Sequence, residues 1–132
     1  MTRFVDRYTA TADAPAPDEL SALTVAIHTD LTLRDLAWAH MDAVTATHHA
    51  RLWGHVVRHT HPGHSAPALG LYGFACWLSG NGAAANVAAA ALQERHPDYS
   101  LGHLLAEVLG QALPPTLWTT IASDLRATLP VC

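Results

Sequence analysis

The chain has 132 residues, half of them apolar and 14% charged, with a formal net charge of −4 at pH 7. All seven basic residues are arginine, which excludes a Schiff-base lysine and a Walker-type phosphate lysine and argues against nucleic acid, whose binding needs clustered cations. The length suits one domain able to bury a core without metal or disulfide staples, and β-branched residues never alternate over a strand-length window, so the expected fold class is all-α with six to seven short helices.

Two cysteines, Cys76 and Cys132, form no CxxC pair and point to a reducing compartment. The opening MTRFVDRYT has no apolar core of signal-peptide length, and the longest apolar run, residues 66–78, is too short to cross a bilayer. A cytoplasmic protein is expected.

In chain order, residues 1–16 drift into TATADAPAP, whose prolines disfavour a helix, and are expected to be a flexible arm ahead of a single helical domain over 17–132. A first helix is expected from Pro17 or Asp18, carrying Leu20, Leu23 and Ile27 and ending at Thr29 and Asp30. Thr32 and Asp35 stand in a capping-box-like spacing at the head of the next, with Leu33, Leu36, Ala37, His40 and Met41 on one face. A further helix is expected after Thr45 or Thr47, through HHARLWGHVVRH, to stop at His61-Pro62-Gly63.

Ser65 is placed as the cap of a helix over Ala66–Ser79 that is apolar nearly all round and therefore the expected centre of the domain. Gly80-Asn81-Gly82 supplies positive-φ positions for a tight turn, followed by an alanine-rich helix to Arg95 that Pro97 closes. Ser100 is expected to cap a helix bearing Leu101, Leu104, Leu105, Val108 and Leu109. After Pro114-Pro115 a last helix, Thr116–Leu129, carries Leu117, Ile121 and Leu125.

Gly73, Gly80, Ala85 and Pro97 have the spacings of the small residue, turn glycine, helix-B alanine and closing proline of one tetratricopeptide repeat. Ala50 and Pro62 echo the alanine-to-proline distance upstream, without a matching turn. A tetratricopeptide-like helical hairpin is therefore expected, and a superhelical array is not. ACWLSGNGAAANVA, Leu92, HPDYSLGHLL and ALPPTLW together resemble the C-terminal helical region of an actinobacterial family known as domain of unknown function 4192. The resemblance covers residues 67–118 well and 30–62 loosely, and does not reach the first 29. It implies a stand-alone or truncated helical half and adds no reaction. Ala90, Ala91 and His96 stand where such proteins carry charged residues and an Asp, so Ala90 and Ala91 are either a weakly apolar patch for a partner helix or dimer mate, or simply buried or neutral.

Candidate chemistry is sparse. GNGAAA matches a dinucleotide fingerprint in Gly-x-Gly-x-x-Ala form, but a helix precedes it where the fingerprint needs a strand, so it reads as a turn. His48, His55 and His59 share one helical face, but His48 and His59 are about 16 Å apart along the axis, too far to share an ion. His55 and His59 remain a feasible metal pair, set against a solvated polar stripe. No Gly-x-Ser-x-Gly elbow exists and Cys76 lies in an apolar helix, so no catalytic residue and no cofactor are expected. Phe74 and Trp77 would line the concave face of a tetratricopeptide-like hairpin and touch a partner; core packing is the favoured alternative. Trp38 and Trp53 read as core, and Trp118 as a seal at the C-terminal end.

The function expected from the sequence is a non-enzymatic helical interaction module that binds a protein partner or itself, with Phe74, Trp77, Ala90 and Ala91 as contact candidates and neither nucleic acid nor membrane as partner. A small-ligand or metal-binding protein using His55 and His59, and an accessory subunit of an enzyme encoded elsewhere, are the alternatives.

Overall fold

The computed structural model describes residues 31–128. Among them lie six α-helices and no strand: α1 Leu31–Ala39, α2 Ala46–His59, α3 Ala66–Leu78, α4 Gly82–Arg95, α5 Ser100–Gly110 and α6 Trp118–Thr128, with 3₁₀ turns at Pro62–His64 and Pro115–Leu117. The all-α expectation is met. The arm over 1–16, the helix expected from Pro17 and the terminal Cys132 lie outside the described residues.

A helix apolar on every side can only be satisfied by neighbours on every side. Every residue of α3 except Tyr72 is buried, and α3 packs against α1, α2, α4 and α5. Its largest partners are α2, which turns Leu52, Trp53 and Val56 inward, and α4, which turns Ala85, Ala88 and Leu92 inward. Close approach is set at Gly73, where a methyl group would overlap Leu105 of α5 and lie 3.2 Å from the Ala88 Cβ of α4. Small residues at that crossing let three helices meet.

The helix ends depart from the capping expectations in an instructive way. Thr32 lies inside α1, so it is not a cap. Ser65 does occupy the N-cap of α3, but its hydroxyl caps nothing and instead donates back to the Pro62 carbonyl at 2.8 Å. Tyr99, not Ser100, is the N-cap of α5; its extended backbone makes the entry and Ser100 is the first helical residue. In the Gly80-Asn81-Gly82 link only Gly80 takes positive φ, at 84°, while Asn81 accepts from the Ala84 amide and is the true cap of α4. α6 starts at Trp118, two residues later than expected, because Pro115–Leu117 forms its own 3₁₀ turn.

Long-range hydrogen bonds join the ends of the fold. The Trp118 indole donates to the Met41 carbonyl at 2.8 Å and packs on Trp38 and Phe74, so α6 closes over the α1–α2 link. The Trp77 indole donates to the Leu113 carbonyl at 3.1 Å, fixing the α5–α6 link to α3. Arg34, itself buried, reaches the Tyr99 hydroxyl at 2.9 Å and also engages Asp35. Burial works against the Arg34 charge, and the bonds to Tyr99 and Asp35 outweigh it.

Candidate functional site

Three buried helical positions on α4, Ala85, Ala88 and Leu92, fix which side of that helix faces out. Ala83, Val87 and Ala90 follow one another at intervals of four and three on the opposite side, and all three are exposed. Val87 is 70% exposed, an unusual state for a valine inside an alanine-rich helix. Ala91 is half-buried and packs at the edge of the core, so it does not share the stripe with Ala90. The first turn of α4 carries no acidic residue. This face is smooth, uncharged along its middle and bounded by Glu94 and Arg95 at its C-terminal end.

Phe74 and Trp77, expected as possible contacts on a concave face, are 1% and 6% exposed and meet edge to face at 6.1 Å. They belong to a cluster with Trp38 and Trp118 that fills the centre of the domain and offers nothing to a partner. The contact reading is corrected: aromatic bulk at helical spacing on an all-apolar helix was drawn inward because α3 has neighbours on every side. Trp53 is likewise buried.

The structure brings the histidine pair together on the outer side of α2. The His55 and His59 rings stack at 6.3 Å, and among the described residues no group of three or more His, Cys, Asp or Glu is placed to hold an ion. His59 Nδ1–H donates to the His55 carbonyl at 2.8 Å, which leaves its Nε2 outward, but His55 Nδ1 accepts from the Arg58 guanidinium at 3.3 Å, which puts the proton of the neutral ring on Nε2. One ring presents a lone pair and the other an N–H. Burial first, then Arg58, His59 and Arg51, hold the His55 imidazole below its ordinary range.

Two polar clusters escaped the sequence reading. His96 Nε2 lies 3.1 Å from the Pro62 carbonyl and 3.4 Å from Ser65 Oγ. A carbonyl only accepts, so Nε2 carries the proton, and Ser65, which spends its own hydrogen on the same carbonyl, faces an N–H instead of a base. The pair ties the C-cap of α4 to the turn before α3; it cannot activate a nucleophile. An open depression of about 460 Å³ beside it is lined by Gly63, Pro67, Arg95, Asp98 and Tyr99, a mix of both charges. A second, apolar cleft of about 210 Å³ sits between Met41, Leu78, Pro115 and Trp118.

The other group missed is His49, buried on the inner side of α2 with its Nδ1 unpartnered. Burial lowers its pKa to about 4, against the pull of Asp42 and with some help from His40 and His48. The Trp38 and Trp53 indole nitrogens are also buried without partners. Cys76 is a buried free thiol whose pKa burial raises, as an inert cysteine requires.

No helix among the described residues is long and apolar enough to cross a membrane. Comparison with curated proteins and with solved structures returns no significant match to either. Comparison with protein families matches the one described as Domain of unknown function (DUF4192) over residues 1–116, which includes the first 29 residues that the motif resemblance did not reach. With that match running from the N-terminus to the turn before α6, and the α3–α5 motifs inside it, the chain belongs to the DUF4192 family.

Proposed function

We propose that this chain is a non-enzymatic helical interaction module whose contact surface is the outer face of α4, presented to a protein partner or to a second copy. The observation that carries the reading is Val87, exposed in line with Ala83 and Ala90 on a helix whose other side is locked into the core. Small side chains allow a partner helix to approach closely, and a valine among alanines gives it one knob to seat. The α3–α4 pair is read as tetratricopeptide-like: Gly73 at the crossing, Gly80 in the turn with positive φ, Ala85 buried and Pro97 just past the end of α4. A cytoplasmic setting in an actinobacterial cell goes with this reading, supported by the lysine-free composition and the buried free thiol of Cys76.

The contact residues of this proposal are Ala83, Val87 and Ala90; Phe74 and Trp77 support the helix that carries the surface. The test is Val87→Glu, an exposed substitution that leaves the core untouched. Light scattering over a concentration series reads self-association, and affinity capture from the source cell reads a partner. Loss of the complex in Val87→Glu, with an unchanged far-UV spectrum, is the expected result. A wild-type chain that stays monomeric and captures the same proteins as Val87→Glu would refute the proposal.

A further inference from the structure

The alanine-rich helix α4 has a seam as well as a face. Its exposed positions Ala83, Val87, Ala90 and Glu94 follow at intervals of four, three and four, the 3.5-residue period along which one helix lies against another. Val87 is the large apolar side chain on that seam and stands 70% exposed. Glu94, one heptad beyond Val87, is exposed and enters no ion pair among the described residues.

The opposite end of α4 is built in a complementary way. Asn81 caps it by accepting from the Ala84 amide, and the Ala85 amide returns to the Asn81 carbonyl, which leaves the Gly82 and Ala83 amides without an acceptor among the described residues. No acidic residue of its own stands in the first turn to neutralise that end. Gly82 adds access. Its φ is not positive and a Cβ there would meet nothing within 4 Å, so neither the turn nor the packing of this chain calls for glycine, and its effect is to leave the first amides bare.

From these observations, and resting on the reading of α4 as the contact face, we infer that its occupant is a second copy of this chain, with the two α4 helices antiparallel about a two-fold axis. This pairing lays Val87 of each copy over Ala90 of the other, and Glu94 of each over the Gly82–Ala83 end of the other. Charge complementarity selects both the occupant and its direction. An antiparallel copy brings a carboxylate to each positive, acid-free helix start, twice by symmetry, whereas a parallel copy sets Glu94 against Glu94 and start against start. Both halves of the match lie on one helix, so the surface is complementary to itself. Alanines on both sides of the crossing let the axes come within about 8 Å, and each valine takes the space above an alanine. A contact confined to a single 14-residue helix falls below the ~1,200 Å² of stable complexes, so the dimer is weak and reversible.

Sedimentation velocity from about 10 µM to about 1 mM, at about 0.15 M salt so that the net charge of −4 on each copy is screened, reads the dimer. The expected result is a monomer–dimer equilibrium that Val87→Glu abolishes and Glu94→Gln weakens about tenfold, the product of two symmetry-related charge–dipole contacts at about threefold each. Both positions are exposed, and unchanged far-UV spectra show that the fold is kept. Register is read by oxidation in a Cys132→Ser background, Cys76 being buried. Ala83→Cys mixed with Glu94→Cys should form a mixed disulfide, while Ala83→Cys alone should form none with itself, its two copies standing about 16 Å apart along the axis. A wild-type chain that stays monomeric over the whole range overturns the inference, and the α4 face then stands or falls on whether Val87→Glu loses a captured protein. A dimer indifferent to Val87→Glu overturns the inference and that reading together. A dimer lost in Val87→Glu but unmoved by Glu94→Gln, or cross-linked through Ala83→Cys alone, overturns the antiparallel pairing and leaves the face in place.

Discussion

Gly73→Ala places one methyl group where α3, α4 and α5 meet. Its Cβ would fall far inside the ordinary contact distance of about 3.5–4.0 Å to the Leu105 side chain. Leu105 is fully buried and cannot swing into solvent, and on the other side Ala88 stands 3.2 Å away with no rotamer to change. Replacing glycine by alanine within a helix gains about 1 kcal/mol, while overpacking a filled core costs about 1–3 kcal/mol and a leucine forced off its rotamer about 0.5–1.5 kcal/mol more. The cost wins by about 1–2 kcal/mol. In urea melts followed by tryptophan fluorescence this lowers the midpoint by roughly 0.5–1 M, given slopes of about 1–3 kcal/mol/M. The double variant Gly73→Ala/Leu105→Ala adds the cause: Leu105→Ala alone costs about 2–5 kcal/mol, but its space receives the new methyl, so the pair should lose at least about 1 kcal/mol less than the sum. A stabilised Gly73→Ala, or strict additivity in the cycle, would refute the three-helix crossing.

Other substitutions probe the remaining joints. His49 is held neutral by burial with its pKa at about 4, below an unfolded value near 6.5, so the unfolded chain binds the extra proton and stability falls as pH drops through that window. The loss attributable to His49 between pH 7 and pH 5 is about 2 kcal/mol; His49→Leu should flatten that part of the pH dependence in thermal melts, and an unchanged slope would show that the imidazole is accessible. Trp118→Phe removes the indole donor from the buried Met41 carbonyl and should cost about 1–3 kcal/mol by urea denaturation. Gly80→Ala meets no neighbour within 4 Å but sits at φ 84°, so it should cost about 1–2 kcal/mol from backbone strain alone, whereas Gly82→Ala, equally open and without positive φ, should cost nothing.

What could be read from the residues was whatever a local pattern determines. The all-round apolarity of residues 66–78 announced a helix with neighbours on every side, and the His61-Pro62-Gly63 and Arg95-His96-Pro97 breaks placed the ends of α2 and α4. Caps were read less well, because a hydroxyl has more than one carbonyl within reach: Ser65 chose Pro62 over its own helix, and Tyr99 entered α5 through backbone conformation alone. The joints that close the fold were not legible. Trp118 to Met41, Trp77 to Leu113, Arg34 to Tyr99 and His96 to Pro62 span 34 to 77 residues, and periodicity tells which side of a helix is apolar without telling what it meets.

The same limit explains the candidate site. Phe74 and Trp77 are large and aromatic on a helix, which is the signature of a core and of an anchor alike, and only the neighbours of α3 decide between them. Ala90 was named from the sequence and is exposed, but Val87 is the large side chain that stands out on α4, and the spacing of Ala83, Val87 and Ala90 against the inward Ala85, Ala88 and Leu92 was the available signal.

The central claim is that this protein works through the outer face of α4 while its aromatic residues serve the core. Methyl-resolved NMR of isotope-labelled protein, titrated first in its own concentration and then with a captured partner, tests it most directly. The account predicts that the Val87 methyl signals shift and saturate while those of the buried Val56 and the Trp77 indole signal hold their positions. A Trp77 indole that moves while Val87 stays silent would contradict it.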